Sequence, residues 1–168
     1  MAVSNTYTLE QSFGGFIVVK GRGFLLNNEM GDFNKKPGTT DLTGNIGTPA
    51  NLIDPGKRML SSMTPVIVTK NGRVVMITGS PGGRTIINTV LCVLLNRLEF
   101  RMSPRESVDA PRLSHTWLPD AVNVEASLAK GHADTVARLK ELGHAVNAPR
   151  SRQGDAHSIF VDDGGAIH

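Results

Sequence analysis

The stretch VIVTKNGRVVMITGSPGG, residues 66–83, decides the fold of the chain around it. Two runs rich in β-branched residues, 66–69 and 74–78, flank an Asn71-Gly72 pair. Asn-Gly between such runs indicates a β-hairpin, because both residues tolerate the positive φ angles of a tight turn. The stretch ends in glycines and leads into an apolar segment. It therefore predicts an antiparallel hairpin, a glycine turn and a buried helix, in that order.

The residues after the hairpin predict two helices. In the first, apolar residues recur at helical spacing, and they are Ile86, Ile87, Val90, Leu91, Leu94 and Leu98. Val93 and Leu95 make this helix apolar nearly all round, as is typical of a helix buried on most sides. Ser103 and Glu106 fit a capping box, which predicts that a second helix begins there and ends before Pro111.

The rest of the chain contains further strand and loop signals. Residues 1–9 predict a strand, residues 16–26 a hairpin, and residues 34–57 a long loop of functional or mobile character. Towards the carboxyl end the predicted elements are a strand at 122–124, a helix at 132–142, a strand at 158–162 and a returning strand at 166–168. Because both ends of the sequence fall in strand patterns, we expect the chain to be a fragment.

Composition excludes several classes of protein. A chain of 168 residues is the size of one domain, and its single cysteine, Cys92, allows neither an internal disulfide nor a multi-thiolate zinc site. The longest apolar run, residues 90–95, is far below the ~20 residues of a membrane span. A net charge of +3, scattered cations and 5% aromatic residues argue against nucleic-acid binding. The histidines lack ligand spacing, so we expect no metal and no cofactor.

Two acidic motifs lie in the first part of the chain. Glu29 and Asp32 are three residues apart, so in a turn or helix start their carboxylates could converge on one cation. The alternative is a solvated turn whose Asn and Asp side chains bond their own backbone. Thr8 and Glu10 belong to a polar cluster at the end of the first predicted strand. Taken alone, this segment is an ordinary edge strand.

Two further motifs could bind an anionic group. Ser61 and Ser62 follow the cation pair that begins at Lys57 and could hold a carboxylate or phosphate, although serines before a strand are common. No Gly-x-Ser-x-Gly motif surrounds them, which argues against a serine nucleophile. Gly82 and Gly83 precede the buried helix, where backbone N–H groups and the helix dipole stabilise a developing oxyanion. The alternative is a tight strand-to-helix turn.

Taken in order, these motifs resemble the small subunit of the gamma-glutamyltranspeptidases, or glutathione hydrolases, of the N-terminal-nucleophile hydrolase superfamily. The motifs that carry the resemblance are Tyr7-Thr8-Leu9, Leu25-Leu26-Asn27-Asn28-Glu29-Met30, Pro55-Gly56-Lys57-Arg58, Ser61-Ser62-Met63-Thr64-Pro65, Gly79-Ser80-Pro81-Gly82-Gly83 and Ala110-Pro111-Arg112. The resemblance implies an αββα four-layer sandwich of α+β class. Residues 1–168 would form the small-subunit part of it, with the long loop at 34–57.

The resemblance also implies how the substrate's glutamyl group is held. Glu29 and Asp32 match acidic residues that bind its α-ammonium, and Glu10 matches a polar or acidic position that assists them. Ser61 and Ser62 match the pair that binds its α-carboxylate. The implied partner is therefore a small molecule with a γ-glutamyl group.

For the reaction, Gly82 and Gly83 match the glycines of the oxyanion hole, and Thr8 matches a threonine thought to orient the nucleophile. Acyl transfer in the family passes through a γ-glutamyl ester on an amino-terminal threonine. That Thr-Thr-His or Thr-Thr-Ser segment has no counterpart here, since Ser4 stands in another context. Gly31 also replaces the first aspartate of the family's Asp-Asp-Phe, which we expect to loosen the turn holding Asp32.

We therefore expect a substrate-binding portion of an enzyme that is inactive by itself. Its missing partner would be the large subunit, which supplies an arginine for the substrate carboxylate. Bare strand edges and apolar surface would favour oligomers of the isolated chain. The resemblance suggests a periplasmic or extracellular location. The alternative is a non-catalytic amino-acid-binding or assembly module derived from the same family.

Overall fold

The computed structural model describes residues 1–34, 36–41, 45–147 and 151–168. The chain forms two compact units, the larger of Met1–Thr6 with Ser62–His168 and the smaller of Tyr7–Ser61. Helices and strands are both present, so the chain is of mixed α+β class, as the sequence predicted. Among the described residues, no helix has the length and apolar character to cross a membrane.

The larger unit contains most of the regular structure. Among the described residues, its strands and α-helices, in chain order, are β1 (Val66–Lys70), β2 (Arg73–Gly79), α1 (Ile86–Leu98), α2 (Pro104–Asp109), β3 (Leu113–Ser114), β4 (Asn123–Val124), α3 (Ala126–Gly131), α4 (Ala133–Glu141) and β5 (His157–Phe160). β2 lies between β1 and β5 in an antiparallel sheet, and β3 pairs with β4. The predicted hairpin is confirmed, with Asn71 and Gly72 in its turn at φ angles of 52° and 76°.

The main core of the larger unit packs α1 against the three-stranded sheet. Met76 of β2, Val93 of α1 and Phe160 of β5 are buried together. The other face of α1 exposes apolar side chains, which are Ile87, Leu91, Leu95 and Leu98. The prediction that this helix is buried on most sides is therefore wrong for the described residues, because the sheet covers one face only.

The predicted capping box begins α2 as expected. The Glu106 N–H donates to the Ser103 hydroxyl at 3.3 Å, and the Ser103 N–H donates to the Glu106 carboxylate at 2.9 Å. The helix predicted at 132–142 is confirmed as α4. α3 was not predicted, because its only buried side chain is Leu128 and one residue gives no periodicity.

The strand predicted in residues 1–9 is wrong, since the backbone there is irregular. β1 and β5 already occupy both edges of β2, so no edge of β2 remains for a further strand. The chain contacts β2 through a side chain instead, because the Ser4 hydroxyl donates to the Thr78 carbonyl at 2.9 Å.

The smaller unit has little regular structure. Among its described residues, the helices are two short 3-10 turns, Glu29–Asp32 and Pro49–Asn51. The chain reverses in residues 16–26 as predicted, but the pairing is a single bridge between Val18 and Leu25.

Candidate active site

The Glu29–Asp32 helix, here called the acidic turn, carries two of the predicted site residues. The N–H of its first residue, Glu29, donates a hydrogen bond to the side-chain oxygen of Asn27 at 3.1 Å. The Glu29 and Asp32 side chains are half-buried. One carboxylate oxygen of Glu29, Oε1, is buried without a hydrogen-bond partner among the described residues. A buried acceptor without a donor is costly, so a group that donates a hydrogen bond to this oxygen would be stabilising.

Glu10 is held beside the acidic turn by its backbone. Its N–H donates to the Thr8 hydroxyl at 2.9 Å. On either side of Glu10, the Leu9 carbonyl accepts from the Asn28 N–H at 3.1 Å, and the Gln11 N–H donates to the Asn28 side chain at 3.1 Å. The structure therefore brings Glu10, Glu29 and Asp32 together in the smaller unit, and Thr8 supports Glu10 there.

Asn51 is a buried residue of this region that the sequence analysis missed. Its side-chain N–H donates to the Asp32 carbonyl at 2.7 Å, and its side-chain oxygen accepts from the Leu60 N–H at 2.8 Å. The Asn34 N–H also donates to the Asn51 carbonyl at 2.9 Å. Asn51 thus ties the acidic turn to the residue before Ser61. Its position inside an aperiodic loop gave no signal in the sequence.

The two serines fall at the boundary between the units, because Ser61 is the last residue of the smaller one and Ser62 belongs to the larger. Ser61 is exposed and Ser62 is half-buried. The Ser62 carbonyl accepts a hydrogen bond from the Thr64 hydroxyl at 2.9 Å.

Residues 79–83, here called the glycine loop, connect β2 to α1 in the larger unit. Gly82 and Gly83 are exposed and have φ angles of 140° and 54°. Only glycine adopts the first of these conformations readily, and the second is strained for most other residues. The Thr85 N–H donates to the Gly82 carbonyl at 3.0 Å and closes the turn before α1.

A glycine outside the glycine loop supports it from the segment before β5. Gly154 has a φ of 65°, and a Cβ there would lie 2.6 Å from the Ser80 and Thr89 hydroxyl oxygens. A Cβ at Gly82 would in turn lie 3.2 Å from the Gly154 Cα. The Ser80 hydroxyl accepts from the Asp155 N–H at 2.9 Å. These contacts exclude side chains at both glycines and fix the path of the glycine loop.

A buried polar cluster, Arg112, Glu125 and Gln153, holds that segment in place. The guanidinium of Arg112 and the carboxylate of Glu125 are 3.7 Å apart and only 1% and 3% exposed. Glu125 also accepts from the Arg112 N–H at 3.1 Å and the Gln153 N–H at 2.7 Å. Burial lowers the pKa of Arg112, while the Glu125 carboxylate opposes that shift. The Ala110-Pro111-Arg112 motif is therefore structural in the larger unit.

Other potential sites are weak. Among the described residues, no group of three His, Cys, Asp or Glu side chains could hold a metal ion. Cys92 is half-buried, and burial raises the pKa of its thiol, which disfavours the reactive thiolate. A groove of about 490 Å³ in the smaller unit is mainly apolar, and its lining includes Met30, Phe33 and Ile53.

Comparison with known proteins gives a consistent result. The sequence model of the family described as Gamma-glutamyltranspeptidase matches residues 1–168. The Glutathione hydrolase proenzyme of Escherichia coli is 42% identical over 167 residues, which are 99% of this chain and 28% of that protein. The relative of the same name from Pseudomonas aeruginosa is 44% identical over 161 residues, 96% of this chain and 29% of that protein.

Solved structures agree with the sequence matches. A gamma-glutamyltranspeptidase mutant from Helicobacter pylori superposes with a TM-score of 0.86 at 42% identity, covering 99% of this chain and 89% of that one. The gamma-glutamyltranspeptidase from Pseudomonas nitroreducens in complex with L-DON superposes with a TM-score of 0.84 at 43% identity. The match covers 99% of this chain and 86% of that one. The chain thus spans about 28% of the curated E. coli relative but most of a single solved chain.

Proposed function

Because the chain belongs to the gamma-glutamyltranspeptidase family, we propose that it supplies part of the active site of a γ-glutamyl hydrolase or transferase that acts on glutathione and related γ-glutamyl compounds. The observation that carries the proposal is the acidic group of the smaller unit. Glu29 and Asp32 share one short turn, and the Glu10 carboxylate lies against that turn. An amino acid's α-ammonium is a cation of the size that such carboxylates bind.

The proposed roles follow the two charged ends of a glutamyl group. Glu10, Glu29 and Asp32 bind the α-ammonium, and the unpartnered Oε1 of Glu29 supports this role because it needs a donor. Ser61 and Ser62 donate hydrogen bonds to the α-carboxylate, a group that accepts up to two hydrogen bonds on each oxygen.

The glycine loop has the proposed role of oxyanion hole. When a hydroxyl oxygen attacks the γ-carbonyl carbon, the carbonyl oxygen becomes an anion that backbone N–H donors stabilise. The exposed glycines Gly82 and Gly83 offer such donors without a side chain in the way, and Gly154 supports their conformation.

The attacking group in this proposal is the family's amino-terminal threonine, which we assign to a segment outside residues 1–168. Its hydroxyl oxygen bonds to the γ-carbonyl carbon, the amide C–N bond breaks, and the hydroxyl proton passes to the leaving amine. Water or a second amine then attacks the ester and releases glutamate or a new γ-glutamyl amide. Thr8 has the proposed role of orienting that threonine.

A second part of the proposal concerns the fold of the complete enzyme. We propose that the three-stranded sheet with α1 is one part of the αββα four-layer sandwich, and that the large-subunit portion of the enzyme completes it. The apolar side chains on the outer face of α1 support this proposal, because an exposed apolar stripe of this kind is typical of a surface that a partner covers.

The test separates binding from turnover. The 168-residue protein is titrated with L-γ-glutamyl-p-nitroanilide by NMR and assayed for release of nitroaniline. We expect binding that weakens when the ligand lacks its α-ammonium, and no turnover. Turnover at an ordinary enzyme rate would contradict the assignment of the nucleophile to another segment. Equal binding of a ligand without the ammonium would contradict the role of the acidic group.

A further inference from the structure

Glu10 and Gly31 are in direct contact in the smaller unit. A Cβ at Gly31 would overlap the carboxylate of Glu10, with both oxygens and the carboxyl carbon inside van der Waals distance. Gly31 does not have a positive φ, so its backbone conformation is open to any residue. The contribution of this glycine is therefore the side-chain volume that it leaves empty.

The backbone of Glu10 is fixed in an unusual conformation. Its φ is 68°, in the left-handed region that costs a glutamate energy. The hydrogen bond to Thr8 and the two bonds to Asn28 on either side of Glu10 hold this conformation. Non-glycine residues keep such φ angles only where their surroundings impose them, and they are frequent at ligand sites. Glu10 therefore keeps a strained backbone conformation, and its carboxylate occupies the space that a side chain at Gly31 would need.

We propose that Gly31 is a positioning residue, which seats the Glu10 carboxylate on the acidic turn so that it contributes a third negative charge for the substrate's α-ammonium. This inference rests on the proposed function. It also gives Gly31 a different role from the one expected from sequence, where the glycine was expected to loosen the turn. The turn is instead fixed through Asn51, whose side chain donates to the Asp32 carbonyl at 2.7 Å.

The inference predicts that Glu10 and Gly31 act as a coupled pair. With alanine at position 31, the displaced atoms are the end of an exposed, flexible side chain, so the protein should fold normally while the Glu10 carboxylate swings away. The Gly31→Ala variant would then lose affinity only for ligands that carry an α-ammonium. Without the Glu10 carboxylate, the same alanine has nothing to displace.

The experiment is a double-mutant cycle on ligand affinity in the 168-residue protein. L-γ-glutamyl-p-nitroanilide and glutaryl-p-nitroanilide, which lacks the ammonium, are titrated by NMR into wild type, Gly31→Ala, Glu10→Ala and the double variant. We expect each single variant to bind the γ-glutamyl ligand about three- to tenfold more weakly, the range for the net loss of one ordinary hydrogen bond. The double variant should equal Glu10→Ala, and affinity for the glutaryl ligand should not change.

Gly15→Ala is the matched control, because its Cβ would make only ordinary contacts, the nearest at 3.6 Å in the same unit. It should bind both ligands like wild type, and all variants should keep the wild-type Tm. Wild-type affinity in Gly31→Ala, or an equal further loss when this change is added to Glu10→Ala, would overturn the inference and leave the proposed function standing. A wild-type protein that does not prefer the γ-glutamyl ligand would overturn both.

Discussion

The glycine loop and the acidic turn are stabilised by different kinds of interaction. The glycine loop joins a paired strand to a helix in the larger unit, and this strand and helix contribute Met76 and Val93 to a hydrophobic core. Among the described residues of its own unit, the acidic turn has no strand or long helix beside it, and asparagine side chains bonded to backbone groups hold it. One region is therefore fixed by core packing and burial, the other by individual hydrogen bonds.

This difference predicts where substitutions affect stability most. The larger unit should respond to changes that leave a buried charge or overlap buried atoms. The smaller unit should respond to the loss of single buried hydrogen bonds, with smaller effects.

The largest effect is expected at the buried polar cluster. Arg112→Met leaves the Glu125 carboxylate buried and without its cation, which should lower the free energy of unfolding by about 3–5 kcal/mol. Equilibrium unfolding in denaturant measures this decrease in the free energy of unfolding. Arg105→Met is the matched control, since the Arg105–Asp109 pair lies on the surface with an Arg105 side chain 88% exposed, and it should be almost neutral. Equal effects of the two changes would contradict the structural role of Arg112.

The next largest effect is expected at Gly154. Gly154→Ala forces a Cβ to within 2.6 Å of two hydroxyl oxygens at a φ of 65°, so we expect a loss of about 1–3 kcal/mol in unfolding free energy. Gly131→Ala is the control, because that glycine has open space and no positive φ. A neutral Gly154→Ala would show that this segment does not constrain the glycine loop.

A smaller effect, confined to the smaller unit, is expected at Asn51. Asn51→Ala leaves the Leu60 N–H and the Asp32 carbonyl without their partner. Because both hydrogen bonds are only partly buried, water can replace part of each, and the change should cost about 0.5–1.5 kcal/mol. Hydrogen exchange should increase at Leu60 and near Asp32, while β2 keeps its protection. Increased exchange of β2 to the same degree would contradict the separation into two regions.

The smallest effect concerns pH. The hydrogen bonds from the Ser103 hydroxyl and the Ser103 N–H lower the pKa of Glu106 below its ordinary 4.5. A lowered carboxyl pKa stabilises the folded state above the ordinary pKa, and this contribution is lost as the pH falls through the folded pKa. The stability of wild type should therefore fall below pH 4.5 more than that of Glu106→Gln. Identical acid profiles would contradict a functioning capping box.

The sequence predicted most of the larger unit because its signals are local. Asn71-Gly72 defines a turn, and the Ser103 capping box defines a helix start, without reference to distant residues. The Arg112–Glu125 pair was not predicted, because two charged residues thirteen positions apart show no local pattern.

In the acidic turn, the sequence identified the residue types but not their contacts. Glu29 and Asp32 are close in sequence, so their shared turn was predictable. The contact between Glu10 and Gly31 depends on how two distant segments meet, and so does the bridge that Asn51 forms. Sequence periodicity and residue spacing do not predict such contacts, because the contacts form only when distant segments of the loop fold against each other.

The most direct test of the central claim is an NMR map of the residues that respond to L-γ-glutamyl-p-nitroanilide. We predict that backbone amide shifts change in the acidic turn and in the glycine loop, with one common Kd for both regions. Changes confined to one region, or two different Kd values, would contradict the claim that this chain binds both the α-ammonium and the γ-carbonyl of a single glutamyl group.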